Sequence, residues 1–200
     1  MMGDVSRVFL LSPADCRGVR ARLLLAPGAS FDLARRLRVP PGAPLGEVFA
    51  FLSSLYFRGK LAYARAFAEP ARTFVIVPGQ GLVSPDVRVD RAGLGAFAEV
   101  RIDPRDEQWT TPLRRDAHRF DGEVVLLGSI ATGKYVDPLL EVLGERLLFP
   151  SAFVGRGDMS RGGLLLRAVD EARELDYAPV RGAVRHGVRP ERLTPRPRRS

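Results

Sequence analysis

Cysteine, histidine and lysine are all scarce in this 200-residue chain, which has one cysteine, two histidines and very few lysines. A single cysteine, Cys16, excludes an internal disulfide framework and suits a reducing compartment, so a cytoplasmic location is expected. Cys16 with His118 and His186 gives no metal-ligand spacing, so neither a metal nor another cofactor is expected. A catalytic thiol would need a base, and neither histidine carries a recognisable local signature for that role. Long apolar runs are missing too. The longest, such as Val8–Leu11 and Phe74–Val77, are strand-sized and far below the roughly 20 residues that span a bilayer. The first run is also too early and too short for a secretory signal, so no membrane association is expected.

The formal net charge of +8 is concentrated at one end. Residues 181–200 hold seven arginines and one acid, Glu191, which leaves the first 180 residues at only +2. Three prolines and few apolar residues after Val188 predict a flexible basic tail over 185–200 behind a single domain over 1–184. Such a tail suits a phosphate backbone through counterion release, and equally suits a plain solvated terminus.

What is present is an alternation of buried strands and helices. Strands are expected at Arg7–Leu11, Thr73–Val77, Ala98–Ile102, Glu123–Leu127 and Arg146–Phe149. Helices are expected after Ser30, across Leu45–Ala68 with a kink at Gly59, from Thr111–Pro112 to about Phe120, across Tyr135–Gly144 and from Gly163 to Glu174. Apolar strands alternating with helices imply a three-layer α/β/α fold around a mostly parallel sheet of four to five strands.

In open α/β sheets, ligands sit beyond the carboxyl ends of the strands. Four loops there are rich in small and polar residues: 12–18, 78–86, 128–134 and 151–163. The third, Gly128–Tyr135, reads GSIATGKY and fits G-x-x-x-x-G-K. A magnesium-nucleotide loop needs Ser or Thr next, and Tyr135 stands there instead. The stretch therefore reads either as an anion-binding turn, with Gly128, Ser129, Gly133 and Lys134 as phosphate ligands, or as a tight strand-to-helix turn. The fourth loop adds Arg156 and Arg161 as forked phosphate donors, with Asp158 or Ser160 suited to cap the following helix. Tyr56, beside Arg58 and Lys60 near the end of an apolar helix, reads as core or as a stacking platform for a base.

The segments Leu55–Ala68, Phe74–Val77 and Gly81–Asp86, then Tyr135–Leu140, Pro150 and Leu164–Leu166, follow one another in a suggestive order. In that order they resemble a family of uncharacterised small phage and bacterial proteins. Those proteins are related to a domain accompanying archaeosine synthases, which is itself similar to uracil-DNA glycosylases. The resemblance implies a three-layer α/β fold and a connection with modified bases or nucleic acid. The water-activating Asp motif and the histidine-containing loop of those glycosylases are not found in this chain.

The expectation is thus a protein handling a nucleobase, nucleotide or nucleic acid in a strand-end crevice. Were it an enzyme, it would act on a glycosidic bond or modify a base, with Asp15 and Asp158 as candidate catalytic carboxylates. The alternative is a non-catalytic nucleic-acid-binding module that relies on the arginine tail.

Overall fold

The computed structural model describes residues 7–69, 71–191 and 193. The chain opens with β1 (Val8–Leu11), α1 (Val19–Leu25), α2 (Asp32–Arg36), β2 (Ala43–Pro44) and the long α3 (Leu45–Phe67). It continues through β3 (Thr73–Val77), β4 (Gly81–Val83), β5 (Arg88–Val89), α4 (Arg91–Glu99) and α5 (Glu107–Ala117). The last part comprises β6 (Val124–Leu127), α6 (Gly133–Leu143), β7 (Leu147–Pro150), α7 (Asp158–Asp170) and β8 (Tyr177–Pro179).

The main sheet is α/β in character and mostly parallel, with six strands in the order β4-β3-β1-β6-β7-β8. The four central strands are parallel, while β4 and β8 close the edges antiparallel to β3 and β7. Every residue of β1, β6 and β7 is buried, so both faces of the sheet centre are covered. A separate two-stranded ribbon joins β2 to β5. Among the described residues no helix is long and apolar enough to cross a membrane.

Several local expectations are corrected. Ala98–Ile102 is not a strand: the Asp90 carboxylate caps α4 by accepting from the Gly93 N–H at 2.8 Å, and Leu94 and Phe97 bury one face of that helix. The sheet gains β4 and β8 instead, each only three residues long and without an alternation that a sequence pattern could reveal. Pro112 does not open α5. Asp106 caps it by accepting from Gln108 N–H, and burial of Trp109 and Leu113 carries the helix across the proline. The N-cap of α2 is Phe31 rather than Ser30.

The break in α3 falls at Ser54, whose φ is +51°, and not at Gly59. Gly59 serves a different need. A Cβ there would stand 2.7 Å from the carbonyl oxygen of Gly162, and one on Gly162 would stand 2.8 Å from backbone atoms of Leu55 and Tyr56. Two glycines therefore let α3 and α7 meet backbone to backbone. The same contact explains why α7 begins at Asp158, with Gly162 inside the helix rather than in the loop expected before it.

The path of the chain marks a switch point in the sheet. From β1 it crosses to β3 on one side, and later it passes from β6 to β7 on the other. The connections that leave the carboxyl ends of β1 and β6 diverge, and such a switch point is where ligands settle in open α/β sheets.

Gly59→Ala should lower unfolding free energy by about 1–3 kcal/mol in urea titrations, because its Cβ meets backbone that cannot swing away. Gly95→Ala in α4, where an added methyl meets nothing within 4 Å, should raise it by about 0.5–1 kcal/mol.

Candidate functional site

Ser12 ends the central strand β1, and its amide still donates to Leu127 O of β6. Its side chain and carbonyl point toward α3, where Lys60 meets them. Lys60 Nζ donates to the Ser12 carbonyl oxygen at 2.6 Å and to the Ser12 hydroxyl at 2.9 Å. Lys60 is 1% exposed, and Ser12 is buried with it. The amine also lies over the rings of Tyr56 and Phe57, 4.4 Å and 4.9 Å from their centroids. Desolvation pulls the Lys60 amine down to about 7, against an upward pull from Asp158 and with a further lowering by Arg161. A lysine suits this position because an ammonium can shed its proton when buried, which a guanidinium cannot do.

Around this pair stand Tyr56 of the same helix and groups from three further segments. Gly128, directly after β6, is pressed against Ser12 and the ring of Tyr135, so a Cβ there would be 2.8 Å from the Ser12 Cβ. The Tyr135 phenol faces the Ser12 hydroxyl and the Ser129 backbone amide; burial raises its pKa more than these partners lower it. The Tyr56 hydroxyl is buried and makes no hydrogen bond of normal geometry, and desolvation raises its pKa well above the usual phenol value against a lowering by the nearby Arg161. An unpartnered buried hydroxyl costs about 1–3 kcal/mol, so its retention calls for a reason. Arg161 from α7 is 8% exposed, donating to Phe153 O and to the Asp158 carboxylate, both at 3.3 Å.

The residues expected at the site separate into two groups. Gly128, Ser129, Asp158 and Arg161 lie at or beside this cluster. The glycine turn itself is not an open cradle. A Cβ on Gly133 would run into the Asp137 carboxylate, which Arg185 holds at 3.3 Å, so the chain supplies its own anion to the start of α6. Lys134 is exposed, and its carbonyl accepts from the Trp109 indole at 2.6 Å. Arg156 ties its own loop together, donating to Ala152 O, Ser160 Oγ and Glu191 O. Asp15 is exposed and accepts from the Arg17 amide, in a hollow shared with Pro78, Phe97 and Val100 rather than with Asp158. Asp158 stands in the first turn of α7 and does not cap it; neither does Ser160.

Two further expectations change. Tyr56 is 5% exposed and offers no free face to a base. Loop 78–86 is not an open strand-end loop, because Gly79 and Gly81, both at positive φ, turn the chain straight into β4. Cys16 is buried, and desolvation with Asp15 beside it pushes the thiol up to about 12, so it stays protonated at neutral pH. Of the basic C-terminal segment, Arg181 pairs with Glu145 and Arg185 with Asp137, while Val188 lies against Gly155. Residues 192 and 194–200 lie outside the described residues.

The sequence shows Lys60 as a neighbour of Tyr56 and Ser12 as the first residue of a strand-end loop, and marks neither as a site residue. The signal was nevertheless present: Leu52, Tyr56, Lys60 and Tyr63 follow one apolar stripe at helical spacing, and Lys60 is one of only two lysines in the chain. No protein-family model, curated protein or solved structure matches the chain significantly.

Replacing Lys60 by Met should change how stability depends on pH. The folded-state value of about 7 lies below the ordinary lysine value of about 10.4, so between them the unfolded chain binds more protons. Wild-type stability should therefore rise relative to Lys60→Met across that window, by up to about 1.4 kcal/mol per pH unit. Urea unfolding of both proteins at pH 6, 8 and 9.5 measures it; parallel pH profiles would show that Lys60 keeps an ordinary pKa.

Proposed function

We propose that the chain binds a nucleobase-bearing ligand, a nucleotide or a nucleic-acid segment, in the crevice between the carboxyl ends of β1 and β6. The observation that carries this reading is the buried Lys60–Ser12 pair at the switch point. A desolvated amine and a perturbed phenol gathered at a strand-end crevice are features of ligand sites more than of cores. Ser12, Ser129 and Tyr135 supply donors and acceptors of the kind that read a base edge, and Arg161 supplies a cation for a phosphate. The resemblance to the glycosylase-like domain of the archaeosine system points the same way and brings with it the three-layer α/β/α arrangement. If the ligand is also cleaved or modified, Asp158 is the better placed of the two candidate carboxylates, since its charge acts on Lys60, Tyr56 and Tyr135. It would stabilise developing positive charge on a sugar or activate water.

Thermal unfolding with nucleosides, nucleoside monophosphates and short single-stranded oligonucleotides tests the reading. A ligand at a hundred times its Kd adds about 2.7 kcal/mol, which raises Tm by roughly 5–10 °C for a chain of this size. The shift should be lost in Tyr135→Phe. It should persist when Arg189, Arg192, Arg196, Arg198 and Arg199 are replaced by Gln. Binding of oligonucleotides alone, abolished by those five replacements, would instead assign the activity to a basic tail acting as a nucleic-acid-binding module. No shift with any of these ligands would remove the proposal.

A further inference from the structure

We infer that Tyr56, Lys60 and Arg161 form a buried oxyanion subsite at the inner end of the crevice, the place where a phosphate-sized group of the ligand is held. This rests on the crevice being a ligand site, and it moves the anion position away from the glycine turn that the sequence suggests.

Charge balance is the first argument. Lys60 and Arg161 are both nearly inaccessible to water, at 1% and 8% exposure. Among the described residues Lys60 makes no ion pair, and Arg161 pairs with a single carboxylate, Asp158, whose own side chain is 68% exposed. A guanidinium and an amine poised to take up a proton, with one solvated counter-charge between them, are an arrangement that an incoming anion completes by drawing the proton onto Lys60.

The Tyr56 hydroxyl is the second and independent argument. It is fully buried, makes no hydrogen bond of normal geometry, and has the Arg161 guanidinium as its one polar neighbour within weak hydrogen-bonding reach, with Tyr135 and Asp158 further titratable neighbours. An oxyanion oxygen would accept its proton. The groups facing Lys60 are then Tyr56 and Phe57 of α3, Ser12 at the end of β1, and Asp158 and Arg161 of α7, with Tyr135 of α6 beyond Ser12.

The start of α7 is the third argument. Neither α6 nor α7 has a side-chain cap, and each has one carboxylate close to its start, Asp137 folded against Gly133 in α6 and the largely exposed Asp158 in α7. The thirteen-residue α7 begins at Gly157 with no side-chain cap, and open space surrounds the position where a Cβ of Gly157 would stand. Its unbonded amides add to the field of the two cations.

Sulfate is the probe, since it is a tetrahedral oxyanion whose charge does not change between pH 6 and 9. Its affinity is measured by calorimetric titration at constant ionic strength. Binding holds the Lys60 ammonium charged, so affinity should fall by up to about tenfold per pH unit as pH rises above about 7. Tyr56→Phe, which removes a buried hydroxyl that makes no hydrogen bond of normal geometry, should unfold close to or above the wild-type temperature yet bind sulfate roughly tenfold more weakly. Lys60→Met should lose both the binding and its pH dependence, and Lys134→Ala should keep both. Wild-type affinity in Tyr56→Phe and Lys60→Met, or its loss in Lys134→Ala alone, would overturn the subsite. A nucleoside that binds while sulfate does not would overturn it too, but leave the crevice reading standing. Sulfate binding of the expected kind, with no nucleoside or nucleotide effect beyond it, supports the subsite and removes the nucleobase reading.

Discussion

The close contact between α3 and α7 at Gly59 and Gly162 is the constraint on which the carboxyl edge of the sheet depends. Helices usually pack 8–10 Å apart, held off by their side chains. Here neither residue at the contact has one, and the carbonyl of Gly162 lies where a Cβ of Gly59 would be. Lys60 is the next residue after Gly59 and Arg161 the one before Gly162, so the contact that joins the helices also brings two cations to one place. Desolvation follows from the same approach: what keeps water from Lys60 is the packing of α7 and the aromatic rings of α3 around it.

The polar cluster is built at some expense to stability. A lysine whose amine is pulled down to about 7 and a phenol with no partner both cost more in the interior than an apolar pair of the same shape. The compensation is local. Lys60 gives two hydrogen bonds to Ser12, which fix the end of β1 just where the chain turns away from the sheet. The remaining walls come from separate segments, Gly128 and Ser129 after β6, Tyr135 in α6, and Arg161 in α7. Each of them reaches the Lys60–Ser12 pair because the parallel strands deliver their following loops to one edge.

Elsewhere polar groups are placed to hold elements together. The Asp116 carboxylate accepts from the Leu82 amide and from Arg115, joining α5 to the edge strand β4. Burial raises its pKa, but these bonds outweigh that and leave the carboxyl below its ordinary value. At the other end of β1, Arg7 bridges Glu123 and Glu174, and the hydroxyls of Tyr63 and Tyr177 meet at 2.5 Å. Those groups are paired throughout, in contrast to the open valence of Tyr56.

The sequence alone determined the strands whose apolar runs are continuous, Val8–Leu11, Thr73–Val77, Val124–Leu127 and Leu147–Phe149, and with them the α/β class and the edge at which polar loops gather. Burial on both faces leaves an unbroken hydrophobic signature, and that is readable without coordinates. Short edge strands leave none, and a helix carried across Pro112 by a buried Trp109 contradicts the local rule for proline. The tertiary structure decided which polar residues share a site. Gly133 and Lys134 matched a phosphate motif by spacing, yet Asp137 occupies that turn. Lys60 matched no motif and became central, because its partners Ser12 and Arg161 lie 48 residues before it and 101 residues after it. Distances across the sequence of that size are set by how helices pack, and packing is a property of the whole chain.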